Sequence, residues 1–190
     1  MNIILIGGSS GGLDALTRLV AALPDNFAAP LVVVLHTVDD TPRSLDAMIR
    51  AHTVLPVAYA KEGDRPHPGA IYIAPHRHHL VIRESGLLGL DDGPKVRHFR
   101  PAVDRLFTTA AEVLGNRVVG VVLSGGDGDG TDGLIAIKAR GGISVVQSPS
   151  DSAVPSMPSK ALIYDSPDYV SLVEDLGALI AMLAARQPRG

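Results

Sequence analysis

At 190 residues, with 46% apolar but only 4% aromatic residues and a net charge of −3, the chain can bury one aliphatic core and has no basic footprint for nucleic acid. It has no cysteine, which removes disulfides, zinc-thiolate sites and cysteine nucleophiles together and suits a reducing compartment. No apolar run approaches a membrane span, and "MNIILIGG" lacks the charged start of a signal peptide, so a cytoplasmic protein without membrane insertion is expected.

Residues 2–6, "NIILI", read as a buried strand. Residues 13–23 follow with helical spacing, placing Leu16, Leu19, Val20 and Leu23 on one face. "PLVVVLH", residues 30–36, is apolar almost throughout, as strands covered on both faces are. A helix over 45–52 and a short strand over 55–58 come next. Between 66 and 93 the texture changes, and "PGAIYIAP" and "HHLVIRESGLLGL" read as a hairpin with alternating faces. Helical spacing returns at 102–114, followed by a strand at 117–123, a helix at 131–140, a strand at 144–146, a helix at 158–164 and a last helix at 171–185. The tail "RQPRG" is expected to fray. This alternation predicts one α/β domain over 1–190: three α/β/α layers around a Rossmann-like, mostly parallel sheet, with an inserted β-hairpin.

The turn "IGGSSGGL" at 6–13 admits two functional readings. The dinucleotide fingerprint Gly-x-Gly-x-x-Gly finds Gly7 and Gly12 but has Ser9 where the backbone must approach a pyrophosphate, and the second strand ends in His36 instead of an acid. The nucleophile elbow Gly-x-Ser-x-Gly is met by Gly7-Gly8-Ser9-Ser10-Gly11. Such a turn lifts a hydroxyl above the sheet at the start of a helix, whose free N–H groups favour developing negative charge. Against both stands the plain reading of Ser9 and Ser10 as helix caps.

Sites in open parallel sheets form beyond the carboxyl ends of adjacent strands. If the first two strands are neighbours, Ser9 and His36 meet at one edge, which makes His36 a candidate base. The stretch "VVGVVLSGGDGDGTDG" then offers a carboxylate from Asp127, Asp129 or Asp132. It fails the EF-hand template, with Asp132 at the glycine position and Lys138 at the glutamate position. Spacing alone does not choose among the three aspartates.

Taken together, "IGGSSGG", the strand-end His36, "PGAIYIAP", "DDGP", "RPAVDRLF", "GGDGDG" and "AVPSMPSKAL" resemble, in order, the catalytic domain of CheB-type protein-glutamate methylesterases. The resemblance implies a serine hydrolase that demethylates glutamate methyl esters on methyl-accepting chemotaxis receptors, and in many members also deamidates receptor glutamines. It puts the nucleophile on Ser9, the base on His36 and the triad carboxylate on Asp129, with oxyanion donors at the backbone of Ser10 and Gly126. It implies no metal and no cofactor. A histidine of the family falls on His79, at the active-site rim, and Arg100 is a second rim residue expected to contact the receptor. Pro101 beside it is expected to start a helix.

Three departures from the family stand out. "TVDD" replaces its methionine-proline after the histidine, adding Asp39 and Asp40; Gly126 and Gly128 replace a methionine and an asparagine in the aspartate loop. The usual member also carries an N-terminal receiver domain whose phosphorylation relieves inhibition, and with a strand starting at residue 2 a stand-alone esterase domain is expected here. In the histidine run "HRHH", His76 and His78 would share one face of a hairpin and His79 the other, with no carboxylate to complete a metal set. The alternative function is a non-catalytic binding module of the same fold that docks to signalling proteins.

Overall fold

A computed structural model describes residues 1–36 and 44–187; Asp39 and Asp40 therefore lie outside the described residues. Strand β1 (Ile3–Gly8) leads into helix α1 (Gly12–Ala21), then β2 (Leu31–Leu35), α2 (Leu45–Arg50), β3 (Val57–Tyr59) and β4 (Ile71–Ile73). A pair β5 (His79–Ile82) and β6 (Leu88–Asp91) precedes α3 (Val103–Leu114), β7 (Val118–Val122), α4 (Thr131–Ala139), β8 (Ile143–Gln147), α5 (Ser156–Tyr164), β9 (Tyr169–Ser171) and α6 (Val173–Ala185).

Seven strands form one sheet in the order β3-β4-β2-β1-β7-β8-β9, every neighbouring pair parallel. The core divides as strand geometry requires, because successive side chains point to opposite faces. Ile4, Ile6, Leu31 and Val33 pack on one face with Leu16 and Leu19 of α1 and Leu176 and Ile180 of α6. Ile3, Leu5, Val32 and Val34 pack on the other with Leu106 and Phe107 of α3, Leu134 of α4 and Met157 of α5. Each such side chain, fully buried, stabilises the fold by about 1.5–3 kcal/mol, which is why strands apolar on both faces belong in the middle layer. The expected α/β/α architecture is therefore present, and no helix among the described residues is long and apolar enough to cross a membrane.

Three local expectations need correction. "IYI" does not pair with the segment after it; it joins the main sheet as β4, parallel to β2 and β3, and only β5 and β6 form the antiparallel hairpin. Alternation looks alike in both settings, so the local pattern could not separate them. The segment before the last helix contains β9, whose edge position leaves Val170 47% exposed and hides the strand from an apolar count. Pro101 does not start α3; it precedes the N-cap Ala102, and the Arg100–Pro101 bond is cis. At the tail, the side-chain amide of Asn2 holds Arg186 by donating to its carbonyl at 2.9 Å.

Candidate active site

β1 has β2 on one side and β7 on the other, so the sheet order reverses at its carboxyl end, where open α/β sheets form their crevices. The register brings Gly8 opposite Leu35 and Gly7 opposite Val122. The next residues are Ser9 and His36, and the His36 N–H donates to Gly8 O at 3.0 Å. The elbow is crowded. Gly11 has φ 77°, and a Cβ there would lie 2.7 Å from Ser124 Oγ. Gly7 faces Val103, whose Cγ1 would stand 2.2 Å from an added Cβ. The Ser9 N–H donates to Ser124 O at 3.0 Å, and Gly12 N–H to Ser9 O at 2.7 Å, closing the turn.

Of the three aspartates, Asp129 meets the histidine: His36 Nε2 donates to Asp129 Oδ2 at 2.9 Å, with the two side chains 6% and 0% exposed. Asp129 also accepts the N–H groups of Val103 at 2.6 Å and Asp104 at 2.8 Å, at the start of α3. Burial pushes its carboxyl up, but the His36 bond and these backbone donors outweigh that and hold it below the usual aspartate range. Asp127 caps its own loop through the Gly128 and Asp129 amides, and Asp132 is paired with Arg97 at the surface.

Asp104 returns the favour to the aspartate loop. Its Oδ1 accepts Gly130 N–H at 2.9 Å and Gly133 N–H at 2.8 Å, the amides at the start of α4. The start of α3 is thus capped by Asp129 from the loop before α4, and the start of α4 by Asp104 of α3. Burial and the nearby Asp129 charge raise the Asp104 carboxyl to about 7.

A cleft of about 410 Å³ opens over this constellation, lined by Ser9, Ser10, His36 and, from the segment before α3, Lys95, His98, Phe99 and Arg100. His36 Nδ1 is buried and has no hydrogen-bond partner among the described residues. With Nε2 committed to Asp129, Nδ1 is the nitrogen left for a serine hydroxyl, and Ser9 lines the same cleft. Gly126 lies exposed just past Gly125, where a Cβ would come within 3.0 Å of Ser9 Cβ.

His79 is placed differently from the sequence expectation. It is 1% exposed and lies beneath the cleft wall instead of on its rim, donating from Nε2 to Pro94 O at 2.9 Å and accepting Ala102 N–H at Nδ1 at 3.2 Å. Arg100 does line the cleft. His76 and His78 sit in the turn before β5, where His78 pairs with Asp92, and no metal-ligating cluster occurs among the described residues. The sequence reading missed Asp104 and Phe99. "RPAVDRLF" held a signal for Asp104, an acid in a first helical turn; Phe99 had none.

The sequence profile of the CheB methylesterase family matches residues 4–180. The chain belongs to the CheB methylesterase family. A CheB relative from Leptospira interrogans is 33% identical over 180 residues, 95% of this chain and 93% of that protein. The protein-glutamate methylesterase FrzG of Myxococcus xanthus is 35% identical over 178 residues, 94% of this chain but 53% of FrzG. The chain thus spans nearly all of the first relative and about half of the second. The crystal structure of the Thermotoga maritima CheB methylesterase catalytic domain superposes with a TM-score of 0.91 at 32% identity, covering 96% of this chain and 98% of that one.

Proposed function

We propose that the chain hydrolyses glutamate methyl esters on methyl-accepting chemotaxis receptors, with Ser9 as nucleophile, His36 as general base and Asp129 as its orienting carboxylate. One observation carries this reading: Asp129 holds a proton on His36 Nε2 and leaves buried Nδ1 with its lone pair unpartnered among the described residues, in a cleft that Ser9 shares. Ser9 Oγ attacks the ester carbonyl while its proton passes to Nδ1. The imidazolium so formed is stabilised by Asp129 and returns the proton to departing methanol. Water, deprotonated by the same nitrogen, releases glutamate from the acyl-serine. The backbone N–H of Ser10 and that of Gly126 are the oxyanion donors in this reading; one such donor contributes about 3 kcal/mol to the transition state.

The cleft's charge supports a protein substrate rich in carboxylates. Among its described lining residues Lys95 and Arg100 are cationic and none is acidic, although the chain as a whole is negative. Other CheB relatives, such as one from Anaeromyxobacter dehalogenans at 38% identity over 176 residues, are named protein-glutamate methylesterase/protein-glutamine glutaminase, and the same groups serve an amide if His36 protonates the poorer leaving group.

The test is methanol release from a methylated receptor fragment, comparing the native chain with Ser9→Ala. Loss of a triad nucleophile lowers kcat by about 10⁴-fold or more. Equal release by both proteins would make Ser9 a turn residue; release by neither would favour the binding-module reading.

A further inference from the structure

Residues 94–102 run from β6 to α3 as a strap that forms one wall of the cleft. His79 closes its base, bonding Pro94 O and Ala102 N–H at the two ends, and Arg100 Nη1 donates to Asp92 O at 2.9 Å and Gly93 O at 3.0 Å. At the tip, Val96 and Phe99 exchange two backbone hydrogen bonds of 3.1 and 2.9 Å around Arg97 and His98. Those two residues have φ of 47° and 74°. Successive left-handed residues make the tight hairpin turn that Asn-Gly usually supplies, and L side chains adopt it at a cost in conformational energy. A strained tip persists only if its surroundings hold it. Arg97 does so, donating from Nε to Asp104 Oδ2 at 3.1 Å and from Nη2 to Asp132.

The strap sets the half-buried Phe99 ring flat on the His36 imidazole, with centroids 3.7 Å apart and planes 4° from parallel. We infer that Phe99 is a positioning residue for His36, and that Arg97 pins the strap so that the stack is in place before substrate arrives. This rests on the reading of His36 as the base. A single hydrogen bond from Nε2 to Asp129 lets an imidazole pivot, because the torsion to its ring is broad. Among the described residues Nδ1 has no partner to stop that pivot. A parallel aromatic face removes it, since tilting the ring would drive it into Phe99. The same face attracts the positive charge that His36 gains when it takes the serine proton.

The test follows His36 directly, by ¹⁵N NMR of the ring nitrogens, which reports the tautomer, alongside methanol-release kinetics, in the native chain, Phe99→Leu and Phe99→Tyr. Leucine keeps an apolar cover and loses the flat face; tyrosine keeps the face. Native His36 is expected as one tautomer, protonated at Nε2. In Phe99→Leu both tautomers appear, because the ring is free to tilt once the flat face is gone. Under the same change kcat falls about tenfold while KM moves less than threefold, and Phe99→Tyr restores both. A leucine variant with native tautomer and kcat, or one that tyrosine does not rescue, overturns the inference. Should Phe99→Leu fail to fold, Arg97→Gln releases the strap with the ring intact, and an unchanged His36 spectrum there overturns it equally. Expected spectra with no methanol released even by the native chain would uphold the positioning and reject the esterase reading.

Discussion

Asp104→Ala tests whether the two helix starts are locked together by crossed caps. The substitution removes the acceptor of two buried amides, Gly130 and Gly133, and the partner of Arg97 Nε. A buried N–H left without an acceptor costs about 1–3 kcal/mol. Two such groups give about 2–6 kcal/mol, from which relief of the buried charge beside Asp129 subtracts, leaving a net loss of about 2–4 kcal/mol. For a chain of this size each kcal/mol moves Tm by about 2–4 °C, so thermal unfolding at pH 8 should show a fall of about 5–15 °C. Asp104→Asn keeps an acceptor oxygen and should lose much less. The pH dependence has a definite sign. A carboxyl raised in the folded state to about 7 from 3.8 binds its proton more tightly there, so its contribution is fully present below about pH 4 and is lost as pH rises through 7. Relative to Asp104→Asn, the native chain should therefore lose stability between pH 4 and 7. An alanine variant within about 0.5 kcal/mol of native at pH 8 would refute the crossed-cap account.

Two further variants test the same site. Asp129→Asn, which puts an amide where His36 needs an acceptor, should lower kcat for methanol release by about 10⁴-fold. Because the Asp129 carboxyl is depressed in the fold, its stabilisation is present above the unfolded aspartate pKa and lost as pH falls through the lower folded value; acid unfolding of Asp129→Asn should be correspondingly flatter below pH 4, and a native-like acid limb would count against this. Gly11→Ala demands φ of 77° from an L residue and places its Cβ 2.7 Å from Ser124 Oγ, so urea unfolding should show a loss of about 1–3 kcal/mol, with kcat reduced as the elbow shifts; an unaltered midpoint would show that the turn relaxes freely.

What the sequence determined by itself was local. Apolar runs such as "PLVVVLH" and the spacing of Leu16, Leu19 and Val20 specify their elements because burial on two faces or on one stripe imposes a period on the chain. The elbow was legible because Ser9 sits in a glycine-rich turn, where a Cβ at Gly7 or Gly11 would fall under 3.0 Å from a neighbour, and His36 because adjacent parallel strands end at one edge. The aspartate was not legible from spacing. Asp127, Asp129 and Asp132 lie within six residues, and only the arrival of α3, with the Val103 and Asp104 amides aimed at one carboxylate, separates them. "IYI" joined the main sheet for the same reason, since strand partners are chosen by the packed layers and not by alternation. The Phe99 stack was beyond any reading of the chain. It joins residues 63 positions apart through a strap whose path depends on the buried His79 at its base and on Arg97 reaching two acids on different helices, contacts that exist only once the sheet order and both helices are in place.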